Sequence, residues 1–76
     1  MERVEVHGSS NIAQIGYEEH IRTLEVQFTG RKGAAGSVYQ YAGVPPEIWH
    51  GLLHSATKGG FFAANIKGVY PAQKVS

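Results

Sequence analysis

Val38-Tyr39-Gln40-Tyr41-Ala42-Gly43 alternates with a period of two, and Val44-Pro45-Pro46-Glu47-Ile48-Trp49-His50-Gly51-Leu52-Leu53, which follows at once, does not. In the first part Tyr39 and Tyr41 share one face, and Val38, Gln40 and Ala42 share the other, the pattern of a strand. Val44-Pro45-Pro46 must end that strand, because proline has no N–H to give a ladder. Proline suits the first turn of a helix, where that N–H is not needed. From Glu47 onward Ile48, Trp49, Leu52, Leu53 and Ala56 fall on one side of a helical wheel, with Glu47, His50 and His54 on the other. The pattern predicts an amphipathic helix of about ten residues. Trp49, near the centre of the apolar side, is expected to be the helix residue packed most deeply.

Upstream of this switch the period is that of strands. Leu24, Val26 and Phe28 alternate with Glu25 and Gln27, the clearest strand in the chain. Arg3 to His7 has valines two apart, Gly8-Ser9-Ser10-Asn11 reads as a turn, and in Ile12 to Tyr17 the side chains of Ala13, Ile15 and Tyr17 can share a face. Glu18 to Arg22 is a polar hairpin connection, and Thr29 to Ser37, with Gly30, Gly33 and Gly36 beside Arg31 and Lys32, is a loop with a basic tip. Downstream, Ser55 and Thr57 can cap a second helix that carries Phe61, Phe62, Asn65 and Ile66. Gly68 stops it, and Tyr70-Pro71 leads into an extended tail. The sum is a single α+β domain over residues 1–76: an antiparallel β-meander of three to four strands, then two C-terminal helices packed on one face.

Composition narrows the function classes. A chain of 76 residues buries only ~60% of its extended-chain surface. With 42% hydrophobic and 17% charged residues it is neither a disordered tail nor a membrane span. No charged-then-apolar leader opens it, so a cytoplasmic domain with no membrane contact is expected. Cysteine is absent, which removes disulfides, thiolate catalysis and sulfur-based zinc sites. The net charge of +1 conceals an asymmetry: all six acids lie before residue 48, whereas residues 48–76 hold Lys58, Lys67 and Lys74 and no acid. Such separation can place a positive patch on one face; the other reading is surface scatter.

Catalytic constellations are weak. Ser9 and Ser10 stand near His7, but the chain has no aspartate to orient the imidazole and no nucleophile elbow, so a turn is the better reading. Glu18 and Glu19 lie in a polar connection where solvation is expected. His50 and His54 share a helical face with Glu47 nearby, but too few further ligands exist to complete a metal site, and no metal or other cofactor is expected. Lys58-Gly59-Gly60 is more informative. Open N–H groups at a helix start beside a lysine suit an anion, although this is no P-loop, and a tight turn between packed helices is the competing reading. Tyr17, Tyr39, Tyr41, Trp49, Phe61, Phe62 and Tyr70 are many rings for a small core. Rings beside lysines hold single-stranded nucleic acid by stacking and phosphate neutralisation, and rings also fill small cores.

Taken in order, these segments resemble the KTSC family, the short domain named for its occurrence at the C-terminus of some lysyl-tRNA synthetases. Ser9-Ser10-Asn11-Ile12 with Ile15-Gly16-Tyr17 is similar to the family's opening, Leu24 to Phe28 to its central strand, and Val38-Tyr39-Gln40-Tyr41 with Val44-Pro45 to its Tyr-x-Tyr block. Thr57-Lys58-Gly59, Phe61-Phe62, Ile66-Lys67 and Tyr70-Pro71 are similar to its closing block. The chain departs from the pattern at Ala63, where the family usually has a polar residue, at Glu18, where an aspartate-like residue is usual, and in a longer Gly30–Ser37 hairpin. The synthetase context of the family implies RNA binding. The expectation is thus a stand-alone, non-enzymatic module for RNA or another nucleic acid. In it Lys58, Gly59, Gly60, Lys67, Arg31 and Lys32 would meet phosphates, and Tyr39, Tyr41 or Tyr70 would stack on bases. The alternative is a protein-interaction module, a phage or bacterial accessory protein that uses exposed rings on a protein partner.

Overall fold

A computed structural model describes residues 1–30 and 35–76; Arg31 and Lys32, the expected basic tip, lie outside the described residues. Five strands form one antiparallel sheet in chain order: β1 (Arg3–Glu5), β2 (Ile12–Glu18), β3 (Thr23–Thr29), β4 (Ala35–Tyr41) and β5 (Ala72–Lys74). A short 3-10 turn (Glu19–Ile21) joins β2 to β3, and α1 (Pro46–His54) and α2 (Lys58–Asn65) fill the span between β4 and β5. This is the expected α+β meander followed by two helices. The extended tail adds a strand beyond the expectation, pairing Tyr39 with Lys74 and Tyr41 with Ala72 along the free edge of β4. No helix among the described residues is long and apolar enough to cross a membrane.

Register decides which side chains meet the helices. Val4, Ile15, Val26, Tyr39 and Lys74 stand opposite one another in one row, and Tyr17, Leu24, Tyr41 and Ala72 in the next. Paired residues point to the same side of a sheet, so both rows face the helices. Ile15, Leu24 and Val26 are fully buried there against Leu52, Phe62 and Ile66. The other face carries Gly16, Glu25 and Gln40 in register. On it Arg3 Nε lies 3.3 Å from a Glu25 carboxylate oxygen, and Gln40 Nε2 donates to the other at 2.9 Å. These long side chains cover Glu25, over which no further layer lies among the described residues. Gly16 is needed there: a Cβ on it would run into the backbone carbonyl of Glu2.

Three expectations about local structure are corrected. Leu52, not Trp49, is the fully buried residue of α1; Trp49 is half-buried and stacks on Tyr17, with centroids 5.4 Å apart and planes 10° apart. A register shift between Ile12 and Gln14 puts Ile12 in the core with Ile15, the place expected of Ala13, because one extra residue in a strand reverses the alternation. Neither Ser55 nor Thr57 caps α2 with its side chain; the Ser55 hydroxyl instead accepts from the Thr57 N–H at 3.2 Å. Gly68 follows the end of α2 at φ +77°, a left-handed position natural to glycine.

Candidate functional site

The turn after β1 is built by one hydroxyl. Ser9 Oγ accepts from the N–H of Ile12 at 3.1 Å and of Asn11 at 3.4 Å, and donates to Asn11 Oδ1 at 3.0 Å. Short polar side chains favour turns because they can replace backbone partners in this way. The result fixes the Asn11 amide against the first turn of α2, so close that a Cβ on Gly59 would stand 2.8 Å from Asn11 Oδ1. A polar pocket of about 190 Å³ opens at this junction. His7 to Asn11 form one wall and Ala56 to Gly59 the other, so two motifs that lie far apart in the chain meet here.

Asn11 also lines a second pocket, of about 390 Å³. Its walls are Phe28, Tyr39, Tyr41 and Phe62, and Ala63 and Lys67 lie at its helical side. The rings meet edge to face: Phe28 with Tyr39 at 5.7 Å, Phe28 with Phe62 at 5.5 Å, and Tyr41 with Phe62 at 5.4 Å. Such contacts favour the ring quadrupoles and hold the walls in place. Tyr41 is only 5% exposed and forms the floor, and burial, with a smaller contribution from Tyr39, pushes its phenol above the ordinary tyrosine value. Tyr39 is half-buried and packs against the core cluster.

The structure therefore gathers some of the expected residues and separates others. Lys58 and Gly59 line the polar pocket; Tyr39, Tyr41 and Lys67 line the aromatic one; Lys74 pairs with Tyr39 and shares its face. No acidic side chain lines either pocket. Gly60 is one residue further into α2 and lines neither, and Tyr70 packs half-buried against the core instead. Lys58 is tied down locally as well as lining the polar pocket. It is half-buried, and its ammonium donates to the Ser55 carbonyl at 2.8 Å, at the C-terminal end of α1 where a cation is favoured. Asn11, which joins the two pockets, was missed as a site residue. The signal was its place in Ser9-Ser10-Asn11, the one polar run that opens the resemblance.

The remaining candidates stay apart. His7 and Glu5 are both well exposed, 4.0 Å from each other, and the Ser9 hydroxyl is engaged in the turn rather than with an imidazole. Among the described residues no three His, Cys, Asp or Glu side chains gather as metal ligands would. At the far hairpin His20 Nδ1 lies 3.2 Å from a Glu18 carboxylate oxygen, and this hydrogen bond lowers the Glu18 pKa below the ordinary range.

Comparison with known proteins places this geometry among relatives. The model of the KTSC domain matches residues 8–70. A KTSC domain protein from Yersinia pestis of known crystal structure superposes with a TM-score of 0.85 at 37% identity, over 99% of this chain and 97% of that one. An uncharacterised protein of Stutzerimonas stutzeri is 36% identical over 82% of this chain and 79% of its own length. A lysine–tRNA ligase of Nostoc punctiforme is 36% identical over 88% of this chain, which spans only 11% of that ligase.

Proposed function

The chain belongs to the KTSC domain family, and from that premise we propose that it is a non-enzymatic module that binds single-stranded RNA across its two joined pockets. The observation that carries the reading is the juxtaposition of Lys58, Lys67 and the Tyr39 ring around Asn11, with no acid lining either pocket. Lysines give phosphate neutralisation without sequence preference, and stacking on an aromatic ring is worth about 1–3 kcal/mol per base. Lys74, on the same face as Tyr39, extends the positive rim. The lysine–tRNA ligase relative is by its name a protein that acts on an RNA, which agrees with this reading.

Fluorescence anisotropy of a short unstructured RNA, titrated with the protein at several salt concentrations, tests the reading. Two or three phosphates neutralised on a single strand give a log–log salt slope between about −1.4 and −2.1. No binding at low salt, or an affinity indifferent to salt, would overturn it.

A further inference from the structure

The sheet has an open edge at each end, β1 and β5, and the two are guarded differently. β5 follows Pro71 and carries Lys74, and proline and lysine are residues that keep a sheet edge from pairing. β1 has neither. Its residues Arg3, Val4 and Glu5 are all exposed. Val4 is 50% exposed although it stands in the row of Ile15 and Val26 that faces the helices, so the helices leave it uncovered. The Val6 N–H donates to the Ala13 carbonyl at 2.9 Å, and bonds to one neighbour fall on every second residue of an antiparallel strand. Val4 and Val6 therefore bond to β2, and the N–H and C=O groups of Arg3 and Glu5 point away from it. Among the described residues no strand pairs with that outer side of β1.

We propose that β1 is a self-association edge, pairing antiparallel with β1 of a second copy of this chain about a two-fold axis at Val4. Hydrogen bonding and charge together select this register. Outward-bonding residues must face outward-bonding residues, so an axis within β1 passes at Arg3, Val4 or Glu5. An axis at Arg3 sets two arginines directly opposite, and one at Glu5 sets two glutamates so; like charges in that position are destabilising. An axis at Val4 sets each Arg3 opposite the copy's Glu5, and these residues exchange both of their main-chain bonds. It also brings the two uncovered valines together in the closer, non-hydrogen-bonded kind of pair. Arg3 already reaches across Gly16, where a side chain would be in its way, to Glu25 at 3.3 Å. In the pair its guanidinium gains the copy's Glu5 as a second carboxylate. A two-fold contact closes on itself and consumes the edge. The edge is short, so the dimer is weak, with a Kd between about 1 µM and 1 mM.

Sedimentation equilibrium of the full chain over about 1 µM to 1 mM tests the proposal. The average mass should rise toward twice that of the monomer and no further. In a mixture of ¹³C-labelled and unlabelled chain, the Val4 Hα protons should show an intermolecular contact, because they meet across a non-hydrogen-bonded pair. Glu5→Pro removes an outward N–H and a charge, and Val4→Lys sets two ammonium groups together at the axis. Each should weaken the dimer at least about tenfold while the thermal transition is retained. Ala72→Pro, on the β5 edge, should leave the dimer intact. A monomer mass through the whole range, or species larger than a dimer, would overturn the proposal. So would a dimer that survives both β1 substitutions, or one that Ala72→Pro alone dissociates.

Discussion

Two clusters of rings lie under the same helices, one on the β2 side of β3 and one on its β4 side, and they are not equivalent. Near Leu24, Tyr17 and Trp49 cover each other face to face, and the Tyr17 hydroxyl donates to the Val44 carbonyl at 2.6 Å. In the other, Phe28 meets Tyr39 and Phe62 edge to face, Phe62 meets Tyr41 in the same way, and a pocket lies between these rings. The charge around the two clusters differs as well. Burial raises the Tyr17 pKa most, Arg22 opposes the shift, and Glu19 and Glu47 add to it, whereas Lys67 and no acid lines the pocket of the other cluster. A count of aromatic residues cannot tell these two uses apart. What separates them is whether the rings and hydroxyls are already satisfied, and which sign of charge stands beside them.

The largest effect should come from the ring that closes the second cluster against the core. Phe62, 4% exposed, touches both Phe28 and Tyr41, and Phe62→Ala should cost about 3–5 kcal/mol in urea unfolding. A loss below about 1 kcal/mol, the size usual for surface positions, would mean that the pocket walls do not depend on the core.

A finer contrast comes from deleting one hydroxyl in each cluster. Tyr17→Phe leaves the Val44 carbonyl, on a fully buried residue, without its partner and should cost about 1–1.5 kcal/mol. Tyr39→Phe should stay within about 0.5 kcal/mol, since no hydrogen bond involving its phenol is formed among the described residues. Equal costs would erase the distinction between a satisfied and an open cluster. The same pair predicts a pH dependence. Because the folded-state pKa of Tyr17 lies above its unfolded value, its contribution is whole at neutral pH and is lost as pH rises past the ordinary tyrosine range toward that raised value. Stability measured through that alkaline window should therefore fall less steeply in Tyr17→Phe than in the wild type.

How much of this was legible in the sequence follows from the same two clusters. The alternation of Leu24, Val26 and Phe28, and of Tyr39 and Tyr41, fixes which face each side chain takes, and the structure keeps both assignments. The wheel of α1 identifies a face but not a depth, so it could not place Leu52 below Trp49. The bulge at Ile12–Gln14 reverses a face within one strand, which periodicity alone cannot show. Ala72-Gln73-Lys74 has little strand character of its own and becomes β5 because β4 offers it an unpaired edge. Lys58 and Gly59 were visible as a cationic helix start, but the Asn11 link depends on a tertiary contact, and the Ser55 carbonyl that holds the ammonium, only three residues back, depends on the local backbone path between the helices.

A smaller change tests that last contact. Lys58→Ala should destabilise the domain by about 0.3–1 kcal/mol through loss of a cation at the end of α1, and it should weaken RNA binding about equally across sequences. Thermal melts and anisotropy on the same preparation check both parts. An unchanged midpoint would mean that the Ser55 contact carries no weight, and unchanged RNA affinity would remove Lys58 from the interface.

The most direct measurement is a ¹H–¹⁵N NMR titration with a short unstructured RNA at low salt, because each cluster has its own reporters. The account predicts shifts concentrated at Asn11, Tyr39, Lys58, Gly59, Phe62 and Lys67, with the Trp49 indole N–H and the Tyr17 amide left in place. Shifts centred on Tyr17 and Trp49, or no shifts anywhere at low salt, would contradict it.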